Sequence, residues 1–115
     1  MNQNQINRIN GLHEEAMDIS DEGDRAKKRG DLEEAREFYR RALVLETQAA
    51  DEIPFGTEPS RAILYRSAAT LALLCHLEPE AERLANLGLA GTPPAFVVVE
   101  LREVIEQARK HEPQK

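Results

Sequence analysis

Residues 16–47 read AMDISDEGDRAKKRGDLEEAREFYRRALVLET, and the small residues in that stretch specify a helical hairpin. Counted from Ala16, Gly23 stands eighth, Ala35 twentieth, Tyr39 twenty-fourth and Ala42 twenty-seventh. Two antiparallel helices approach closely only where their facing side chains are small, because larger ones drive the axes apart. Gly23 on a first helix, with Ala35 and Ala42 on a second, meets that requirement.

Upstream of this stretch the periodicity continues. Ile6, Ile9, Leu12, Ala16, Ile19, Gly23 and Ala26 recur at spacings of three and four, one apolar stripe on a helix from about residue 3 to Arg29. Gly30 supplies a left-handed stop, and Lys27, Lys28 and Arg29 suit the negative end of the helix dipole. Asp31 then sits at an N-cap position with Glu34 three residues on, which predicts a capping box. Leu32, Ala35, Phe38, Tyr39, Ala42 and Leu45 form the second stripe, on a helix expected to reach about Asp51.

The spacing returns from Ala62 in AILYRSAATLALLCHLEPEAERLANLGLAGTP, with Tyr65 fourth, Ala69 eighth, Ala81 twentieth, Gly88 twenty-seventh and Pro93 thirty-second. His76 stands at the turn, and histidine tolerates the left-handed region better than most residues. Pro54 and Gly56 are expected to end the second helix, and Thr57 to cap the third. Thr92 ahead of Pro93 and Pro94 predicts the start of a last helix, with Phe96, Val97, Leu101, Val104, Ile105 and Ala108 on one face. Phe96 to Val99 also reads as a short strand, but no partner strand exists elsewhere, so helix is expected there.

Both segments resemble the tetratricopeptide repeat (TPR), which runs to about 34 residues per helical pair. The likeness covers about residues 16–93 and rests on Gly23, Ala35, Tyr39 and Ala42 and on Tyr65, Ala69, Ala81, Gly88 and Pro93. Glu22, Ala26, Ala72, His76 and Ala85 depart from the family pattern. The resemblance implies a single all-α domain, a right-handed α-solenoid of antiparallel hairpins with about five helices. Repeat one covers about 16–49, an insert 50–61, repeat two about 62–93 and a capping helix about 94–110.

The function it implies is protein–protein recognition, as an adaptor holding a peptide or helix in a concave groove. Carried over residue by residue, the groove is lined by Met17, Ser20, Asp24 and Lys27 and by Ile63, Arg66, Thr70 and Leu73. Asp24 and Arg66 are expected to pair across its floor. Ser20 and Asp24 replace the first Lys and Asn of the carboxylate clamp that chaperone-binding members use, which disfavours that ligand. The alternative is a self-associating structural or regulatory subunit. Phe96 to Val99 put apolar side chains all round the first turn of the last helix, so Val98 or Val99 is expected to contribute to a homodimer contact.

Composition narrows the other classes. A net charge of −6 and a pI near 5.1 lack the basic face that phosphate binding needs, so no nucleic acid is expected. The basic run Arg25, Lys27, Lys28 and Arg29, with Arg36, Arg40 and Arg41, reads mainly as a solvated face paired at helical spacings with Asp24, Glu33 and Glu37, or else as a dock for an acidic partner. Only 4% of residues are aromatic, against 41% hydrophobic, so stability rests on many Leu, Ile and Ala contacts. Cys75 is the one cysteine, flanked by leucines, and is expected to be a buried thiol.

No membrane span or signal peptide is apparent, which makes the cytoplasm the default. His13 is expected on the surface, His76 in a turn and His111 in a frayed tail, with no metal-ligand spacing among them. No cofactor and no catalytic constellation are expected, and therefore no enzymatic activity. The insert, with Pro54, Gly56 and Pro59, is expected to be the most mobile internal segment.

Overall fold

The structure, a computed structural model, describes residues 1–111. It comprises α1 (Gln3–Lys28), α2 (Leu32–Glu52), α3 (Ser60–Leu74), α4 (Glu78–Leu89) and α5 (Ala95–His111), with no strand among the described residues. Phe96 to Val99 are helical, and His111 ends α5 in helical conformation rather than as a frayed tail. Among the described residues no helix is long and apolar enough to cross a membrane.

The helix ends follow local chemistry. At the start of α1, Asn2 Oδ1 accepts from the Gln5 N–H and Gln5 Oε1 accepts from the Asn2 N–H, both at 2.8 Å. The end of α1 is a Schellman turn: Gly30 takes φ +84°, its N–H donates to Lys27 O, and the Asp31 N–H donates to Ala26 O at 3.0 Å. That second bond explains a departure from expectation at α2. Asp31 does accept from the Glu34 N–H at 3.2 Å, but its own N–H is already taken, so the reciprocal half of the capping box is absent. Glu34 turns instead to Arg29, 3.5 Å away.

The same turn is built at the end of α3 without glycine. His76 takes φ +58° and donates to Leu73 O, while the Leu77 N–H reaches Ala72 O at 2.9 Å. Neither expected threonine cap forms. Pro59 holds the N-cap of α3 with no side-chain bond, and Thr57 contributes only its carbonyl, to the Arg61 N–H at 3.0 Å. At α5 the Pro94 carbonyl accepts from Val97 and Val98 N–H groups, leaving Thr92 outside the helix. In both places the rigid proline fixes the entry of the chain before a threonine can act.

Each helix packs antiparallel on the next. His13 meets Glu46 and Asp24 meets Tyr39 across α1 and α2, Tyr65 reaches Asp51 across α3 and α2, and Arg109 reaches Glu82 across α5 and α4. α3 also touches α5, whereas α1 touches α2 alone. The array measures 42 × 32 × 22 Å.

Small residues make this closeness possible. Gly23, Ala35 and Ala42 are buried in the first hairpin and Ala69, Ala81 and Gly88 in the second. Tyr39 covers Gly23, and Leu101 and Tyr65 cover Gly88 at 3.1–3.2 Å from where a Cβ would stand. Both tyrosines are buried to the hydroxyl, which donates at 2.6 Å to Asp24 and Asp51 respectively. Cys75 is buried with its Sγ 4.0 Å from Arg36 O, and burial pushes its thiol pKa up despite the nearby Arg40 and Arg36. On α5 the buried stripe is Val97, Leu101, Val104 and Ala108. Phe96, expected on that face, is 58% exposed, one residue round the helix from Val97.

Candidate binding surface

The eight expected groove residues lie on two helices, α1 and α3, that make no direct contact. Because α1 and α3 are not in contact and each packs on α2, Met17, Ser20, Asp24 and Lys27 stand apart from most of the α3 set. Met17 and Ile63 are partly buried against the core. Asp24 is held by the Tyr39 hydroxyl, and Arg66 donates to Glu100 of α5 at 3.0 Å. The expected Asp24–Arg66 pair is therefore not formed; each has a nearer partner on the helix it actually packs against.

Two hollows gather Lys27, Arg66, Thr70 and Leu73, while half-buried Ser20 lines neither of them. Between α3 and α5 an open hollow of about 220 Å³ has Arg66, Thr70 and Leu73 on one wall and Glu100, Glu103 and Gln107 on the other. The Thr70 hydroxyl is turned inward to Arg66 O at 3.0 Å. A second hollow, of about 180 Å³, lies where the α1–α2 turn approaches the end of α3. Its apolar walls are Leu32, Leu73 and Leu74, above Ala35 and Tyr39, and its rim carries Lys27, Arg36 and His76. Leu73 is common to both hollows, and Lys27 and Leu73 are the two expected groove residues that one hollow brings together across α1 and α3.

The sequence reading missed Glu100, Glu103 and Gln107, as well as Leu32 and Leu74, whereas Arg36 belongs to the basic set read alternatively as a dock for an acidic partner. A signal existed: a last helix that buries Val97, Leu101 and Val104 must carry Glu100, Glu103 and Gln107 one step round its circumference. What the sequence does not give is that α5 presents that edge to α3.

The electrostatics of the two hollows differ. Arg66 is matched by Glu100, whereas Lys27 and Arg36 have no ion-pair partner among the described residues. Elsewhere the basic run is partly paired, with Glu37 the one expected acid that takes part: Arg25 meets Glu22, Arg29 meets Glu34 and Arg40 meets Glu37, while Arg41 lies over the Phe38 ring at 5.8 Å. A larger hollow of about 580 Å³ between α4 and α5 is bordered by Arg109 and Lys110, both paired, to Glu82 and Glu106.

Two further polar sites lie inside the array. His13, expected on the surface, is half-buried with Nδ1 2.9 Å from both carboxylate oxygens of Glu46, whose side chain is 0% exposed. In the insert, Arg61 is buried between the rings of Phe55 and Tyr65, 4.9 Å from each centroid, and donates to Leu87 O at 2.9 Å. Both carboxylate oxygens of neighbouring Glu58 are buried without a hydrogen-bond partner. Against known proteins, no family model matches this chain, and no curated protein or solved structure matches it either.

Proposed function

We propose that this chain is a protein-recognition module, a right-handed α-solenoid built from two TPR-like hairpins and a capping helix, which takes an extended peptide or a helix from a protein partner. The observation that carries this reading is the open hollow between α3 and α5. It presents a mainly polar wall of Arg66, Thr70, Glu103 and Gln107 with Leu73 and Val104 as its apolar part. Such a surface suits a ligand held by several shallow contacts. The burial of small residues at matching places in both hairpins supports the TPR-like reading. The reading assigns no catalysis and a cytoplasmic location, consistent with a single thiol that takes no part in a disulfide.

Selection of displayed peptides on the immobilised chain, followed by calorimetry, tests it. The expected result is a shared peptide pattern whose binding falls on Thr70→Arg or Gln107→Arg. A failure to select any sequence above background would overturn it. A second reading, a self-associating subunit, draws on Phe96 and Val99, both more than half exposed on the outer face of α5.

A further inference from the structure

The hollow at the tips of the hairpins combines three features. It has an apolar interior, a cationic rim, and no carboxylate paired to that rim. Leu32 is 62% exposed at the first position of α2, an unfavourable place for a leucine with nothing over it. Leu73 and Leu74 stand opposite on α3, and the left-handed His76 closes the end. Ligand pockets for cofactors and drug-sized molecules run to about 300–1,000 Å³, so a hollow of about 180 Å³ is sized for a single side chain.

Lys27 and Arg36 then decide which side chain's neighbours are welcome. The chain as a whole is acidic, yet charges separated by more than about 10 Å are largely screened at 0.1 M salt, so the local rim governs a docked ligand. Glu33 and Glu37 on α2 line a separate hollow that shares Arg36 and includes Arg40, and Glu37 is engaged by Arg40 at 3.5 Å. Tyr39 at the floor already donates its hydroxyl to Asp24, which leaves no polar demand inside.

From this we infer that the hollow docks an acidic segment of a partner protein, inserting one branched aliphatic side chain between Leu32, Leu73 and Leu74 while flanking carboxylates meet Lys27 and Arg36. The inference rests on the recognition-module reading and adds to it a second contact point, at the hairpin tips and distinct from the α3–α5 hollow. Apolar burial supplies the anchor and the two cations supply selectivity.

The test is a titration of the full isotope-labelled chain, followed by amide shifts, with a capped peptide that has one leucine between glutamates. Two control peptides replace the leucine by alanine or the glutamates by lysines. The expected result is saturable shifts at Leu32, Arg36, Leu74 and His76. Binding should weaken about tenfold or more, a factor that corresponds to about 1.4 kcal/mol, in Lys27→Glu with Arg36→Glu and with either control peptide. Lys27→Gln with Arg36→Gln, a milder pair, should lie between. Equal binding by wild type and both variants, by the alanine control, or no shift at all would overturn the inference. Shifts confined to Arg66, Thr70 and Gln107 would also overturn it, while leaving the recognition-module reading intact.

Discussion

Cε1 of Tyr39 lies 2.7 Å from where a Cβ on Gly23 would stand, closer than packed carbon atoms allow. The ring is tied to the same helix by the bond from its hydroxyl to Asp24, the residue after Gly23, so withdrawing from a new Cβ would stretch that bond. Gly23→Ala should therefore cost about 1–3 kcal/mol, as overpacking does. Around Gly11, on the same helix, a Cβ would meet nothing within 4 Å, and Gly11→Ala should stabilise by about 0.5–1 kcal/mol through helix propensity alone. Urea unfolding of the two variants checks both signs; a Gly23→Ala protein as stable as wild type would show that the first hairpin is not held by this contact.

The burial of Glu46 makes a second case. Its carboxylate has no route to solvent and one side-chain partner, the His13 Nδ1. Because His13 is partly exposed, water can enter when it is removed, and His13→Ala should cost about 1–3 kcal/mol rather than the larger penalty of a sealed charge. Replacing both residues, His13→Leu with Glu46→Met, should cost less than the single change. A double-mutant cycle by urea unfolding reads this directly, and purely additive losses would contradict it.

These two contacts also mark where the sequence was legible. The stripes of α1 and α2, the stops at Gly30 and His76, the overrun of α2 and the buried Cys75 follow from spacing and turn chemistry, which act within a few residues. Pairs such as His13–Glu46, Tyr65–Asp51 and Arg61 between Phe55 and Tyr65 depend on how far each helix is rotated about its axis when it meets its neighbour. One residue of rotation separates Val97, buried, from Phe96, exposed. Glu46 illustrates the limit: it falls on the buried stripe of α2, four residues after Ala42, where its charge argues for solvent, and the packing of α1 over it encloses the carboxylate. The candidate surface was legible in part for the same reason. Arg66, Thr70 and Leu73 come as a set on α3 from the resemblance to the repeat family, but the wall facing them comes from α5 rather than α1.

The two tyrosines offer a pH test. Burial, followed by the bond to Asp24, pushes Tyr39 up to about 12, and burial with the bond to Asp51 does the same for Tyr65. A phenol whose pKa is raised in the folded state stabilises the fold fully below its unfolded value near 10. That contribution is lost as pH rises from about 10 through about 12. Phenolate absorbance of the native protein at pH 10 should thus stay near zero and rise only with unfolding. Titration of half the tyrosine signal at pH 10 in folded protein would count against the buried arrangement.

In the insert, exposure and anchoring alternate. Phe55 is 70% exposed beside Gly56, whereas Arg61 is buried with its guanidinium on Leu87 O. Under native conditions chymotrypsin should cut first after Phe55, and trypsin should spare Arg61 until the chain unfolds. Mass spectrometry of early fragments distinguishes the two. Early tryptic cleavage at Arg61 would mean that the aromatic sandwich does not hold.

On the outer face of α5, Phe96 at 58% and Val99 at 56% exposure lie one helical turn apart, while Val98 is half-buried against the chain. Stacking on α3 and α4 uses the opposite stripe, so the sequence-based suspicion of an unmet apolar patch narrows to Phe96 and Val99. Around them Arg102, Glu103 and Glu106 carry both signs of charge, which lets an antiparallel copy of α5 set acids against bases while covering the two apolar side chains. A two-fold contact of this kind predicts particles of twice the chain mass at high protein concentration. Phe96→Glu with Val99→Lys should return them to one chain mass without loss of helical content, since neither side chain is part of the core. Light scattering after size exclusion reads the mass, and a wild-type protein of single-chain mass at every concentration would show that α5 ends the array without a second copy.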